Sequence, residues 1–138
     1  MAAPRYLLDT NAVSDAVKHP AGPVAARLSG LLPGQAVVSV IVEGELRYGI
    51  AKAQATAIER RVDALLTRVA VLELDTKVAR CYGELRADLA TRGAPIGMND
   101  LWIAAHALAL GLTVVTGNED EFRRVPGLMV ENWLGSAQ

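Results

Sequence analysis

Apolar residues along this chain follow two rhythms: short unbroken runs bounded by turn residues, and longer stretches in which they return every three or four positions. The first rhythm reads as buried strand and the second as helix packed on one face. Residues 5–9 (RYLLD) predict a short buried strand that ends on an acid. Thr10 and Asn11 then offer capping oxygens to a helix through Lys18. His19-Pro20 and Gly22-Pro23 punctuate, and Pro23 suits the start of a second helix reaching about Leu32. Pro33-Gly34 turns the chain into a β-branched strand over 35–40. A helix is expected from near Val42 into 53–57, continuing over 58–69 with Val62, Leu65, Leu66 and Val69 on one side and arginines on the other. A weaker strand covers 70–74. Residues 76–91 have helical periodicity through Val78, Ala79, Tyr82 and Leu85, stopping at Gly93. After a loop over 93–97, residues 100–110 form a helix that is apolar nearly all round and therefore buried. A strand at 112–116, a polar turn or short helix at 118–124 and a final strand at 128–130 complete the pattern.

Strands alternating with helices predict a three-layer α/β/α domain with a mainly parallel, roughly five-stranded sheet. The 138 residues suit one domain spanning 1–138. In such sheets ligands sit beyond the C-terminal strand ends.

Composition sharpens this in three ways. Hydrophobic residues make up 51% but aromatics only 4%, so the core must be aliphatic. A net charge of −1 argues against a general coat for nucleic acid, yet leaves room for a nuclease that touches a few phosphates. Cys81 is the single cysteine, which excludes an internal disulfide and a cysteine zinc cluster. That cysteine usage, with no apolar run of membrane-spanning length, predicts a soluble, reduced, cytoplasmic protein.

The candidate chemistry is acidic. Asp9 ends the first strand, Glu45 lies on the helix after the second, and Asp100 opens the buried helix. The next strand ends Val114-Val115-Thr116, followed by Gly117-Asn118-Glu119-Asp120-Glu121. Each has a plain alternative. Asp9 and Asp100 could be helix caps, Glu45 or Glu43 a solvated helix residue, and 119–121 a surface turn. Glu43 and Glu45 fall on nearly opposite helix faces, so at most one enters a site. Carboxylates gathered at one sheet edge raise each other's pKa, and a cation removes that penalty. An all-oxygen donor set without a histidine pair suits Mg²⁺ or Mn²⁺ and points to phosphodiester hydrolysis. His106 reads as a satisfied core histidine, Trp102 as core, and Cys81 as a small buried hydrophobe. Cations for phosphate contact are available at Arg47, Lys52, Arg60, Arg61, Arg68, Arg86 and Arg92, and Tyr48 could stack a base.

The motifs LLDTN (7–11), VIVEGELRYG (40–49), GMNDLWIAAHA (97–107), VTGN (115–118) and EFRRVPGL (121–128) together resemble the PIN domain, and more narrowly the VapC toxins of type II VapBC toxin–antitoxin systems. The likeness runs from about Tyr6 to Trp133. It implies a Mg²⁺-dependent (or Mn²⁺-dependent) endoribonuclease acting on tRNA or other structured RNA. It also implies a homodimer and a hetero-oligomer with a cognate VapB antitoxin that inhibits it. Carried onto this chain, Asp9, Glu45 and Asp100 match the family's metal-holding acids and Thr116 its site hydroxyl. The fourth acidic position falls on Asn118, so that either Glu119 or Glu121 supplies that carboxylate or a second metal is weak or absent. Asn11 and Asn99 fit supporting or capping roles. The helices over 24–32 and 58–69 would offer an antitoxin helix a groove. The neutral Asn118 also admits a catalytically impaired PIN-like module that binds RNA or protein. A haloacid-type phosphatase is excluded because Asn11 stands where a second Asp is needed. A receiver domain is excluded because Thr116-Gly117-Asn118 replaces its lysine.

Overall fold

The structure, a computed structural model, describes residues 2–135. Its first half lays down three strands, each followed by helix. β1 (Tyr6–Leu8) leads into α1 (Thr10–Lys18) and α2 (Pro23–Ser29); β2 (Ala36–Ser39) into α3 (Val40–Ala53) and α4 (Thr56–Arg68). β3 (Ala70–Leu72) precedes the pair α5 (Thr76–Thr91) and α6 (Met98–Leu110). β4 (Thr113–Val115), the short α7 (Glu119–Phe122) and β5 (Val130–Glu131) close the fold.

The strands form one sheet in the order β3-β2-β1-β4-β5, and every neighbouring pair is parallel. Parallel strands require crossover connections, and right-handed crossovers send α1 to α4 to one face while the chain moves outward through β2 and β3. The return to β4 sends α5 and α6 to the other face. Packing agrees: α1 touches α2, α3 and α4, and α5 lies along α6. This is the predicted three-layer arrangement. Its strand order reverses between β1 and β4.

The core is aliphatic. Leu7, Leu8, Val37, Val38, Val114 and Val115 of the central strands are closed off from solvent, as are Val13, Val42 and Ile103 from the helices. Each such side chain contributes roughly 1.5–3 kcal/mol on burial. α6 is buried almost all round, as its sequence predicts: Leu101 and residues 103–107 are all inaccessible. The few aromatics seal edges. Trp133 packs edge-on to Tyr6 at 4.9 Å, with the Arg27 guanidinium 4.6 Å above its ring.

Several boundaries differ from the sequence pattern. The second helix stops at Ser29, because Gly30 caps it and the chain turns before Leu32. The expected continuous helix from 42 to 69 is two helices, broken where Gln54 takes a left-handed conformation (φ 51°). The first of them starts at once after β2, with Ser39 as cap. The last strand is displaced to Val130–Glu131, where it pairs with Val114 and Val115. His106 is buried as expected but not satisfied: among the described residues its Nδ1 has no hydrogen-bond partner.

Candidate active site

The central pair of strands determines where the acids meet. Leu8 of β1 sits opposite Val115 of β4, and the Asp9 N–H donates to the Val115 carbonyl at 3.0 Å. Asp9 and Thr116 therefore leave adjacent strands at the same level, at the point where strand order reverses. Both are buried, Asp9 at 3% exposure and Thr116 at 0%. The Thr116 hydroxyl accepts from the Asn118 N–H at 2.8 Å and acts to lower the pKa of the Asp9 carboxyl. Asp9, rather than Thr10 or Asn11, caps α1: its Oδ1 accepts from the Ala12 N–H at 2.9 Å. The Asn11 backbone N–H acts to lower the Asp9 pKa.

Glu45 reaches the same edge from α3. Val42, Leu46 and Ile50 bury one face of this helix, and Glu45 stands at the rim of that face. Its Oε1 accepts from the Thr10 hydroxyl, and its charge is felt at Asp9. Glu43 points elsewhere, pairing with Arg47 at 3.2 Å, while Arg47 also holds Asp63 at 2.7 Å. Asp100 lies on α6 at its third position, because Met98 and Asn99 are already helical and Gly97 is the cap. Asn99 is exposed.

The 118–121 segment settles which glutamate faces the acids. Glu121 acts on the pKa of Asp100, accepts from the Asn118 side-chain amide, and accepts from the Gly97 N–H at 2.5 Å. Glu119 turns away, bound to Arg123 at 2.7 Å and to Asn132 at 3.1 Å. Helical spacing over 118–124 separates positions 119 and 121 by about 200°, but nothing in the local sequence says which one faces inward.

Charge crowding has a direct consequence. Burial, the hydrogen bond to Glu121, and the charges of Glu121, Asp9 and Glu45 push Asp100 up to about 7. Burial raises Asp9 as well, opposed by its hydrogen bonds to Thr116 and Ala12. Burial works to raise Glu121 too, but the Gly97 N–H, Asp100 and Asn118 outweigh it and hold that carboxyl low. Of the two, Asp100 is the carboxyl held high and Glu121 the one held low.

The donors are all oxygen, which fits a hard divalent cation such as Mg²⁺ in chemistry. In this arrangement the carboxylates are spent on other partners: Asp9 on a helix cap and Thr116, Glu45 on Thr10, Asp100 on Glu121. Among the described residues no three acidic, histidine or cysteine side chains are grouped closely enough to hold a metal ion as they stand. Holding one requires side-chain rotation and loss of the Asp100 proton. Two other expectations fall outside this edge. Trp102 stacks on Tyr82 at 3.7 Å on the α5–α6 face, and Cys81 is partly buried with its thiol pKa raised by burial and Glu84. No helix among the described residues is long and apolar enough to cross a membrane.

A five-stranded parallel sheet carrying acids at its switch point defines a class. The model of the PIN domain matches residues 6–128, and the chain belongs to that family. Within it, the chain is similar to the VapC ribonucleases. It is 40% identical to ribonuclease VapC2 of Rickettsia felis, covering 93% of this chain and 97% of the relative. It is 38% identical to the tRNA(fMet)-specific endonuclease VapC of Salmonella typhimurium, covering 94% and 98%. Among solved structures it resembles the Rickettsia felis VapBC2 complex bound to a promoter DNA fragment, with TM-score 0.86 and 37% identity over 93% of this chain and 98% of that one.

Proposed function

We propose that this protein is the toxin of a type II toxin–antitoxin pair, a Mg²⁺-dependent endoribonuclease that hydrolyses phosphodiester bonds of tRNA or another structured RNA. The observation that carries the reading is the gathering of Asp9, Glu45, Asp100 and Glu121 at one sheet edge, where burial first and then the charges of Glu121, Asp9 and Glu45 raise Asp100 to about 7. Such mutual repulsion is costly unless a cation relieves it. Asp9, Asp100 and Glu45 would hold the ion, and Glu121 fills the acidic position that Asn118 leaves neutral. Bound there, Mg²⁺ would polarise the phosphate and lower the pKa of water. Thr116 keeps Asp9 oriented through its hydroxyl, Thr10 does the same for Glu45, and Asn118 holds Glu121 in place.

The chain acts as one domain over 1–138, pairs as a homodimer in the cytoplasm, and is inhibited by a VapB-type antitoxin. An apolar groove between α1, α2 and α4, lined by Ala16, Val17, Ala25, Leu28, Ala64 and Leu65 and rimmed by Arg61 and Arg68, suits an amphipathic antitoxin segment. Purified protein should cut RNA with Mg²⁺ and not with EDTA, and sequencing the 5′ ends of the fragments identifies the target. Asp9→Asn should abolish cutting. Cleavage by that variant at the wild-type rate would refute the assignment.

A further inference from the structure

The geometry points to Arg124 as a positioning residue that clasps the loop before α6 to the segment after α7 and so sets the spacing of Asp100 and Glu121. The inference rests on reading this edge as a cation-binding nuclease site. Three bonds cross one gap. The Arg124 guanidinium donates from Nη1 to the Pro95 carbonyl at 2.9 Å. Arg92 donates from Nη2 to the Arg124 carbonyl at 3.2 Å, and is itself anchored to α5 by Asp88 at 2.9 Å. The Gly97 N–H donates to Glu121. The loop over 93–97 opens on a left-handed Gly93 (φ 66°); the Ala94 N–H donates to the Leu89 carbonyl at 2.9 Å and Ile96 packs on the core, while these three contacts tie the loop to the segment after α7. Asp100 lies three residues beyond Gly97, in the first turn of α6, so the loop's position bears on its placement.

The clasp matters because a shared cation needs two carboxylates held close, and like charges repel. Arg124 resists their separation mechanically through Pro95, and its charge also acts directly on Glu121. Arg123 cannot substitute, since Glu119 holds it on the other side of α7.

The test compares wild type, Arg124→Ala and Arg124→Lys as purified full-length chains. Mn²⁺ binding is read by electron paramagnetic resonance, and hydrogen exchange of the Gly97 amide is read without metal. Loss of a group that orients a metal ligand costs about 10–100-fold in affinity. Arg124→Ala should therefore weaken Mn²⁺ binding about tenfold and speed Gly97 exchange, with RNA KM unchanged and the melting temperature held. Arg124→Lys should recover part of both. Wild-type Mn²⁺ affinity and Gly97 exchange in Arg124→Ala would overturn the proposal. So would a rise in RNA KM with Mn²⁺ binding intact, which would make Arg124 a phosphate contact. If the wild-type chain binds no Mn²⁺ and Asp9→Asn still cuts RNA, the nuclease-site reading fails as well, a result distinct from failure of the clasp alone.

Discussion

At position 9 one carboxyl group serves two purposes. It caps α1 through Ala12 and feels the Thr116 hydroxyl, while lying buried among like charges. Asparagine can repeat the capping bond and removes the charge, so Asp9→Asn should melt at or above the wild-type temperature. Alanine loses the cap and leaves the Ala12 N–H without a partner inside the protein, a loss of about 1–2 kcal/mol. Urea denaturation of the two variants separates the structural role from the catalytic one, since neither should cleave RNA. The same separation applies to the two glutamates of α7. Glu121→Gln removes a carboxylate that faces Asp100 and should reduce Mg²⁺-supported cleavage by about tenfold or more. Glu119→Gln breaks an exposed pair with Arg123 and should leave cleavage unchanged. Equal losses in both would show that the segment acts as a surface turn rather than as part of the site.

Among the elements, the best-read ones have local signals that agree with their tertiary setting. α5 was legible because its apolar positions keep one period and Gly93 ends the run; the Asp75 cap at its start is a structural finding. α6 was legible as buried because it offers no polar face. The split at Gln54 was not, since a left-handed glutamine has no compositional mark and the apolar period resumes beyond it. For the site, Asp9, Asp100 and Thr116 could be selected by their place at strand ends and a helix start, whereas Glu45, mid-helix, was selected by the family resemblance. Choosing Glu121 over Glu119 required the Gly97 amide, 24 residues away in sequence. The helix α6 carries a further cost that its pattern concealed. Its His106 is inaccessible, with an Nδ1 that has no partner among the described residues, and burial lowers its pKa, opposed by Asp75. A lowered folded-state pKa means that the unfolded chain takes up the proton first, so stability should fall as pH drops below about 6.5. His106→Met, which fits an apolar helix without an orphaned nitrogen, should remove this acid sensitivity in thermal melts between pH 6.5 and 4.5. A variant that loses stability with acid as steeply as wild type would place the effect elsewhere.

For the whole molecule, the acidic edge opposes the His106 term and couples folding to the cation. Asp100 has an ordinary value of 3.8 and stands at about 7 in the folded chain. A carboxyl whose folded pKa is raised favours the folded state most when protonated. Its contribution is therefore present below about 4 and is lost as pH climbs through about 7. Without divalent cations the chain should lose stability over that window. Added Mg²⁺ binds the ionised acids and not the unfolded chain, so it should return stability most strongly at and above pH 7, with release of a proton. Asp100→Asn isolates this from the His106 effect, because both proteins keep the histidine. In EDTA the variant should match wild type near pH 4 and exceed it in melting temperature by a margin that widens up to pH 7–8. In Mg²⁺ the order should reverse, because wild type gains from the ion and the variant has lost a ligand. Parallel melting curves for the two proteins across pH, with and without Mg²⁺, would mean that the four carboxylates are neighbours without sharing a cation.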